Sequence, residues 1–322
     1  MKSYIHMAKP NRVAIVGLGN VGASFAYALL FRGLASEIVL IDANTLKAEG
    51  EAMDLNHAVP FTHSTRIWAG DYSACAGAVV TVITAGDAQK PGESRSDLVK
   101  KNARIFASIV PQVVQHNPDG ILLIATNPVD ALTYVAWKLS GLPSDRVIGS
   151  GTILDTARFR YLLSQHFNVD ARSVHGYIVG EHGDSEVPVW SLTNIAGMRL
   201  PEYTKHNNVR CSPEEMDHIF TETRDAAYRI IERKGATYYA IGAGLMRITE
   251  AILRDQSTVL SVSSLVKGLY GIEDVYLSLP TVLCRGGVER VIHLELREDE
   301  EAKLKNSARV LHETIVKLQE LT

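Results

Sequence analysis

Residues 12 to 22 read RVAIVGLGNVG, a short apolar run that ends in glycines spaced G-x-G-x-x-G. The run favours a buried strand, and the next stretch, residues 20 to 33, has helical periodicity up to a glycine. A strand, a glycine turn and a helix in this order are typical of a dinucleotide-binding unit. In such a unit Gly17 permits the tight turn, Gly19 lets the backbone approach a pyrophosphate, and Gly22 allows close helix packing.

An acidic residue follows the glycines at the distance that this unit requires. Residues 37 to 43, EIVLIDA, read as a second buried strand, and Asp42 stands at its end, about 20 residues beyond Gly22. Its carboxylate can accept hydrogen bonds from both ribose hydroxyls and would repel a 2′-phosphate, so the pattern predicts NAD rather than NADP. The structural alternative for Asp42 is a cap on the strand end.

The alternation of strands and helices continues through the first half of the chain. Residues 77 to 86, GAVVTVITAG, and residues 119 to 128, DGILLIATNP, are continuous apolar runs, which favour strands buried on both faces of a parallel sheet. We therefore predict an α/β protein whose residues 1 to 150 form a doubly wound (Rossmann) NAD-binding domain.

The pattern changes from residue 151. A helical stretch, LDTARFRYLLSQHF, is followed later by strand-like runs such as DVYLSLPTVLC and ERVIHLEL. These runs suggest an antiparallel sheet in a second, α+β substrate domain over residues 151 to 322. Near the end, one apolar helix stripe steps by four and three residues and is predicted to pack on the core of the chain; it comprises Leu304, Ala308, Leu311, Ile315 and Leu318.

Composition excludes several classes of function. With 322 residues and 46% hydrophobic content the chain can bury a large core, most simply as two lobes. A net charge of -3 does not provide the overall positive potential that would attract nucleic acid or an anionic membrane. The three isolated cysteines, Cys75, Cys211 and Cys284, predict neither a disulfide framework nor a zinc site, so no metal is expected. Without an apolar run of about 20 residues, a cytoplasmic protein is expected.

Candidate catalytic residues lie in the second half. Asp155 and Arg158 are three apart in a predicted helix and share a face, and His182 stands in the loop sequence GEHGD. A carboxylate beside His182 would hold one imidazole tautomer and raise the pKa of the ring, while Arg158 could grip a substrate carboxylate with two parallel hydrogen bonds. The alternatives are a histidine in an ordinary turn and a surface salt bridge of little energetic value.

Seven motifs in one order resemble those of the bacterial L-lactate dehydrogenases: GLGNVG, LIDA, TAGDAQKPGESRSDLV, ATNPVD, LDTARFR, GEHGDSEVPVW and KGATYYAIG. The resemblance runs from about residue 12 to the C-terminal helix. It implies reversible hydride transfer between NADH and pyruvate to give L-lactate. One departure is Asp87 in TAGDAQ, where a small or amide residue is more usual; it puts a charge near the base of the lid.

The resemblance also implies roles for individual residues. His182 would be the acid/base, Asp155 its partner, Arg158 the clamp on the substrate carboxylate, and Arg95 the residue on a mobile lid that polarises the substrate oxygen. Malate dehydrogenases carry an arginine at the position of Gln89, so a neutral side chain there favours pyruvate over oxaloacetate. The remaining implied contacts are Asn127 and Thr237 at the substrate, and Val21, Lys47, Tyr72, Gly86, Ser108 and again Asn127 along the cofactor groove.

Regulation and assembly are implied as well. Arg160 lies about 200° around the helix from Arg158, so it points away from the active site. Matching residues to Arg160 and His175 bind fructose 1,6-bisphosphate between subunits of a tetramer in bacterial lactate dehydrogenases, so a homotetramer activated by that ligand is expected. The alternatives are two solvated surface residues and, for the whole chain, a malate dehydrogenase, a dehydrogenase of longer 2-hydroxy acids or a noncatalytic NAD-binding protein.

Overall fold

The first half of the chain is a parallel sheet with helices on both faces. The computed structural model describes residues 11–88 and 95–319. The six parallel strands are β1 (Arg12–Val16), β2 (Glu37–Ile41), β3 (Arg66–Ala69), β4 (Val80–Ile83), β5 (Ile121–Ile124) and β6 (Val147–Gly149). The helices between them are α1 (Asn20–Arg32), α2 (Thr45–Ala58), α3 (Arg95–His116) and α4 (Val129–Ser140).

The glycine turn between β1 and α1 behaves as the sequence predicts. α1 starts directly after Gly19 and ends at Gly33, whose φ of 64° is left-handed and whose N–H donates to the Leu30 carbonyl. One face of α1 is buried against the sheet, including Phe25 and Leu29. Pairing of β1 with β2 on one side and β4 on the other places the glycine turn at the carboxyl edge of the sheet, between the halves of the strand order.

The second half adds helices and antiparallel strands. The helices are α5 (Ile153–Phe167), α6 (Leu200–Asn207), α7 (Pro213–Lys234), α8 (Tyr239–Leu253) and α9 (Glu298–Gln319). The short strands are β7 (Val174–His175), β8 (Ile178–Val179), β9 (Val187–Pro188), β10 (Asn194–Ile195) and β11 (Met198–Arg199). The three remaining strands are β12 (Thr258–Lys267), β13 (Glu273–Cys284) and β14 (Gly287–Val291).

The antiparallel strands are confirmed, but β12 to β14 do not form a sheet of their own. Ser263 of β12 pairs with Gly149 of β6, so the nine described strands of the main sheet run in the order β14-β13-β12-β6-β5-β4-β1-β2-β3. Because Gly149 lacks a side chain, β12 can approach closely; a Cβ there would lie 2.8 Å from the Cβ of Ser263. The two halves of the chain therefore share one continuous sheet.

The last helix packs as its apolar stripe predicts. Leu304, Ala308, Leu311, Ile315 and Leu318 are all buried. The stripe contributes to three apolar clusters, with residues of β13, α4 and α3 among its neighbours. None of the described helices combines the length and the apolarity that a membrane crossing demands.

Candidate active site

The glycine turn has the geometry of a phosphate-binding loop. Gly17 has a φ of 97°, and a Cβ there would lie 2.4 Å from the backbone nitrogen of Ala85. A Cβ on Gly22 would lie 2.0 Å from the Gly17 carbonyl oxygen, so both glycines are fixed by close packing. At Gly19, by contrast, no atom of the described residues lies within 4 Å of an added Cβ, and none of their side chains caps the start of α1. This free helix N-terminus fits a pyrophosphate.

Asp42 links the glycine loop to the end of β2. Its Oδ2 accepts a hydrogen bond from the Leu18 N–H at 2.7 Å, and its Oδ1 accepts one from the Asn44 N–H at 2.9 Å. Asp42 therefore caps the end of the strand, which is the structural role considered for it as an alternative to ribose binding. It also lines a cavity of about 290 Å³ together with Tyr72, which leaves the remaining lone pairs of the carboxylate available to ribose hydroxyls.

The other residues that the resemblance places along the cofactor lie on several elements of the first half of the chain. Val21 is half-buried in the first turn of α1, while Lys47 and Ser108 are exposed on α2 and α3. Gly86 packs so closely that a Cβ would lie 2.2 Å from Thr126 Cγ2. The Asn127 carbonyl accepts a hydrogen bond from the buried Asn102 side chain at 2.8 Å, so Asn102, which the sequence reasoning missed, supports this loop.

His182 and Asp155, the predicted acid–base pair, are within hydrogen-bonding distance of each other. Nδ1 of His182 lies 2.5 Å from Oδ2 of Asp155, and Nη1 of Arg158 donates to Oδ1 of the same carboxylate at 2.9 Å. Asp155 is 2% exposed, whereas the His182 side chain is 25% exposed. The pair is therefore not a surface salt bridge, and the Asp155 contact fixes Nδ1 and leaves Nε2 to face a substrate.

Charges around His182 favour its protonated form. Burial disfavours the imidazolium, but the charge and hydrogen bond of Asp155, with a smaller contribution from Asp130, raise the pKa of His182 to about 9. Burial opposes ionisation of Asp155 as well, yet His182 and then Arg158 hold the pKa of Asp155 below its usual value. At neutral pH the site therefore holds an imidazolium–carboxylate pair that can donate a proton.

Asp130, at the start of α4, is a second acid at this site that sequence reasoning did not single out. Its Oδ2 accepts the backbone N–H of His182 at 2.7 Å, and burial raises the pKa of Asp130 to about 6. The only signal in the sequence was its place in the ATNPVD motif. By holding the backbone of the loop, Asp130 helps to fix the position of the imidazole.

Glu186 completes the cluster. The ligand atoms of Asp155, His182 and Glu186 lie within 4.8 Å of one another, a spacing that can hold a metal ion. Both oxygens of Asp155, however, already bind Arg158 and His182. We therefore interpret Asp155 and His182 as an acid–base pair rather than as metal ligands, and the absence of a metal stays a prediction.

Arg158 opens onto a cavity of about 550 Å³ that Thr237 also lines. The structure thus brings together the proposed carboxylate clamp and one of the predicted substrate contacts. α3 begins at Arg95, but the side chain of Arg95 and the whole of Gln89 lie outside the described residues.

The two predicted regulatory residues lie on adjoining segments. Arg160 donates from Nε to the Gly176 carbonyl at 2.9 Å, next to the exposed His175 in β7. The Arg160 guanidinium also stacks over the Tyr177 ring, with Cζ 5.1 Å from its centroid. Since Arg158 instead contacts Asp155, the two arginines project in different directions from α5, as the helix geometry predicts.

A free helix N-terminus, an acidic strand end and a buried imidazole–carboxylate pair together define a dinucleotide-dependent oxidoreductase. The model of the NAD-binding domain of lactate/malate dehydrogenases matches residues 11–149, and that of the alpha/beta C-terminal domain matches residues 152–322. The chain belongs to the lactate/malate dehydrogenase family. This confirms the family resemblance and the prediction of NAD as the cofactor.

Individual relatives agree over nearly the whole chain. L-lactate dehydrogenase 2 of Bacillus cereus is 56% identical over 306 residues, which make up 95% of this chain and 97% of that protein. The crystal structure of a lactate dehydrogenase enzyme from a Medee basin deep-sea metagenome library has a TM-score of 0.93 at 47% identity, covering 97% of this chain and 100% of its own. That of the minor L-lactate dehydrogenase from Enterococcus mundtii, in the ligands-bound form, has a TM-score of 0.94 at 44% identity, covering 97% and 99%.

Proposed function

We propose that this chain is an NAD-dependent L-lactate dehydrogenase that interconverts pyruvate and L-lactate. The observation that carries the proposal is the Asp155 carboxylate, which binds His182 through one oxygen and Arg158 through the other. One residue thereby sets the relative positions of a proton donor and a carboxylate clamp. Curated relatives named L-lactate dehydrogenase, 55% to 56% identical to this chain, support the same activity.

When bound, NADH supplies the hydride. Arg158 holds the substrate carboxylate, and Nε2 of His182 points its N–H at the ketone oxygen and protonates that oxygen as negative charge develops on it. In the reverse direction neutral His182 takes the hydroxyl proton of lactate. Arg95 is proposed, from the resemblance, as a second donor to the ketone oxygen, and Asn127 and Thr237 as further substrate contacts.

The choice of pyruvate rests on Gln89. A neutral amide at this position brings no positive charge to a second substrate carboxylate, whose burial without a counter-charge costs several kcal/mol. Malate dehydrogenase is the alternative within the family. A dehydrogenase of longer 2-hydroxy acids differs from both only in the room available for the substrate tail.

The test is NADH oxidation with pyruvate and with oxaloacetate on one dilute preparation. The proposal expects a kcat/KM for pyruvate that exceeds the value for oxaloacetate by about 100-fold or more. Preference for oxaloacetate would make the chain a malate dehydrogenase, and no turnover of either substrate would leave an NAD-binding protein without this activity.

Activation by fructose 1,6-bisphosphate is a second proposal, and it depends on Arg160 and His175. Their neighbouring positions support it: a cation on α5 beside an exposed imidazole on β7. Paired across a two-fold axis of a homotetramer in the cytoplasm, such groups would repel each other until an anionic sugar bisphosphate binds. The same assay with millimolar bisphosphate decides: a pyruvate KM that does not fall leaves these residues without a regulatory role.

A further inference from the structure

Glu186 is a buried acid that the chemistry described above does not use. It precedes β9 and is 6% exposed, and its Oε1 has no hydrogen-bond partner among the described residues. Its carboxylate lies within 4.8 Å of the ligand atoms of both Asp155 and His182. Buried carboxylates are normally paired, because an isolated buried charge is costly.

Among the described residues, the cations that act most strongly on Glu186 are each paired with another carboxylate. The charged groups with the largest effect on it are Asp155 and Arg158 on α5, His182 in its own loop and Arg224 on α7. Asp155 already binds both Arg158 and His182, and Arg224 pairs with Asp225 at 2.9 Å. Burial and the Asp155 charge therefore raise the pKa of Glu186 well above its usual value, despite the three cations.

A proton on Glu186 removes one negative charge from the surroundings of the substrate carboxylate. Asp155 already supplies a carboxylate to both Arg158 and His182, and a bound substrate adds a second carboxylate beside them. An ionised Glu186 would add a charge of the same sign as the substrate inside a poorly hydrated site. Asp130, which holds the His182 backbone, adds its own negative charge at neutral pH and makes a further anion still less favourable.

We propose that Glu186 is a positioning residue that keeps its proton while a substrate carboxylate occupies Arg158, and that ionisation of Glu186 weakens substrate binding. The inference rests on the proposed function, because it assumes a monocarboxylate on Arg158. Glu186 touches neither the hydride nor the proton that is transferred, so it acts on KM rather than on kcat.

The test is the isosteric, permanently neutral Glu186→Gln variant of the full chain, assayed with NADH and pyruvate from about pH 6 to about pH 10. At the acid end the two proteins should have the same KM within about twofold. As the pH rises, the wild-type KM should increase about tenfold more than the KM of the Gln variant, which should show only the increase due to His182. kcat at saturating pyruvate should agree within about twofold throughout.

The matched control is Asp217→Asn, which removes one exposed carboxylate from the cavity that residue 186 also lines. It should follow the wild-type curve. An identical alkaline rise of KM in the wild type and Glu186→Gln would overturn the proposal and leave the dehydrogenase activity standing. Absence of any pyruvate turnover would instead defeat the proposed function.

A second readout does not depend on activity. Infrared difference spectra of the wild-type protein with NADH, between neutral and alkaline pH, should contain the carbonyl stretch of a protonated carboxyl group that loses its proton as pH rises. The band should be missing in Glu186→Gln and present in Asp217→Asn. A wild-type protein without such a band contradicts the proposal.

Discussion

The two ends of this active site are built in different ways. The phosphate- and ribose-binding part of the cofactor end lies at one strand–turn–helix–strand unit and depends mainly on backbone geometry: Gly17 and Gly22 pack against the main chain, and Gly19 leaves a helix N-terminus open. The acid–base end consists of charged side chains from three separate segments, Asp130, Asp155 and the loop of His182.

Because of this difference, we expect substitutions at the two ends to have different effects. A helix N-terminus binds anions through N–H groups that every residue except proline has, so the cofactor end depends on backbone shape. The acid–base end depends on a balance of buried charges, in which removal of one partner leaves another unpaired. We therefore expect substitutions at the acid–base end to alter rate and pH dependence, and those at the cofactor end to alter binding of NADH.

The largest effect is expected from His182→Asn, which removes the proton donor. The kcat/KM for pyruvate reduction should fall about 10³-fold or more, because general acid catalysis and charge stabilisation are lost together. NADH affinity, measured by fluorescence titration, should stay within about threefold of the wild type. The control is His218→Asn, an exposed residue of α7. Comparable loss in both variants would contradict the role of His182.

A smaller effect is expected from Gln89→Arg, which tests the substrate end alone. The added guanidinium can pair with the second carboxylate of oxaloacetate, so the ratio of kcat/KM for oxaloacetate to that for pyruvate should rise by roughly 100-fold. Gln112→Arg, an exposed position on α3, controls for added charge. An unchanged ratio in the Gln89 variant would remove the argument for pyruvate specificity.

The smallest effect is expected from Asp42→Ala at the cofactor end. Loss of the ribose contact and of the repulsion toward a 2′-phosphate should reduce the preference for NADH over NADPH by roughly ten- to a hundredfold. Asp54→Ala, exposed on α2, is the matched control. If the Asp42 variant keeps the full preference for NADH, the role of Asp42 is only structural: it caps the strand end through its hydrogen bonds to Leu18 and Asn44.

Sequence predicted the fold well because its signals are local. The glycine spacing, the apolar runs of the parallel strands and the stripe on α9 each depend on neighbours within a few turns or one strand. The continuity of the sheet was not predictable in this way. It depends on the contact between Gly149 and Ser263, which are more than 100 residues apart.

The acid–base site was predictable only in part. Asp155, Arg158 and His182 stand in motifs that the family resemblance supplies, and the structure adds their contacts. Asp130 and Glu186 stand in quoted motifs too, but nothing in their spacing shows that they approach His182. The departure at Asp87 is similar: its side chain pairs with Lys101 of α3, a contact that no local pattern predicts.

The most direct measurement is the pH profile of kcat/KM for pyruvate reduction in the wild type and in Asp155→Asn. Since protonated His182 is the donor, the wild-type value should be level at lower pH and fall as the pH rises through about 9, while lactate oxidation rises. Loss of the Asp155 charge removes the main group that raises the pKa of His182, so the fall should move to lower pH in the variant. An unshifted profile would contradict the account that Asp155 sets the proton affinity of the catalytic histidine.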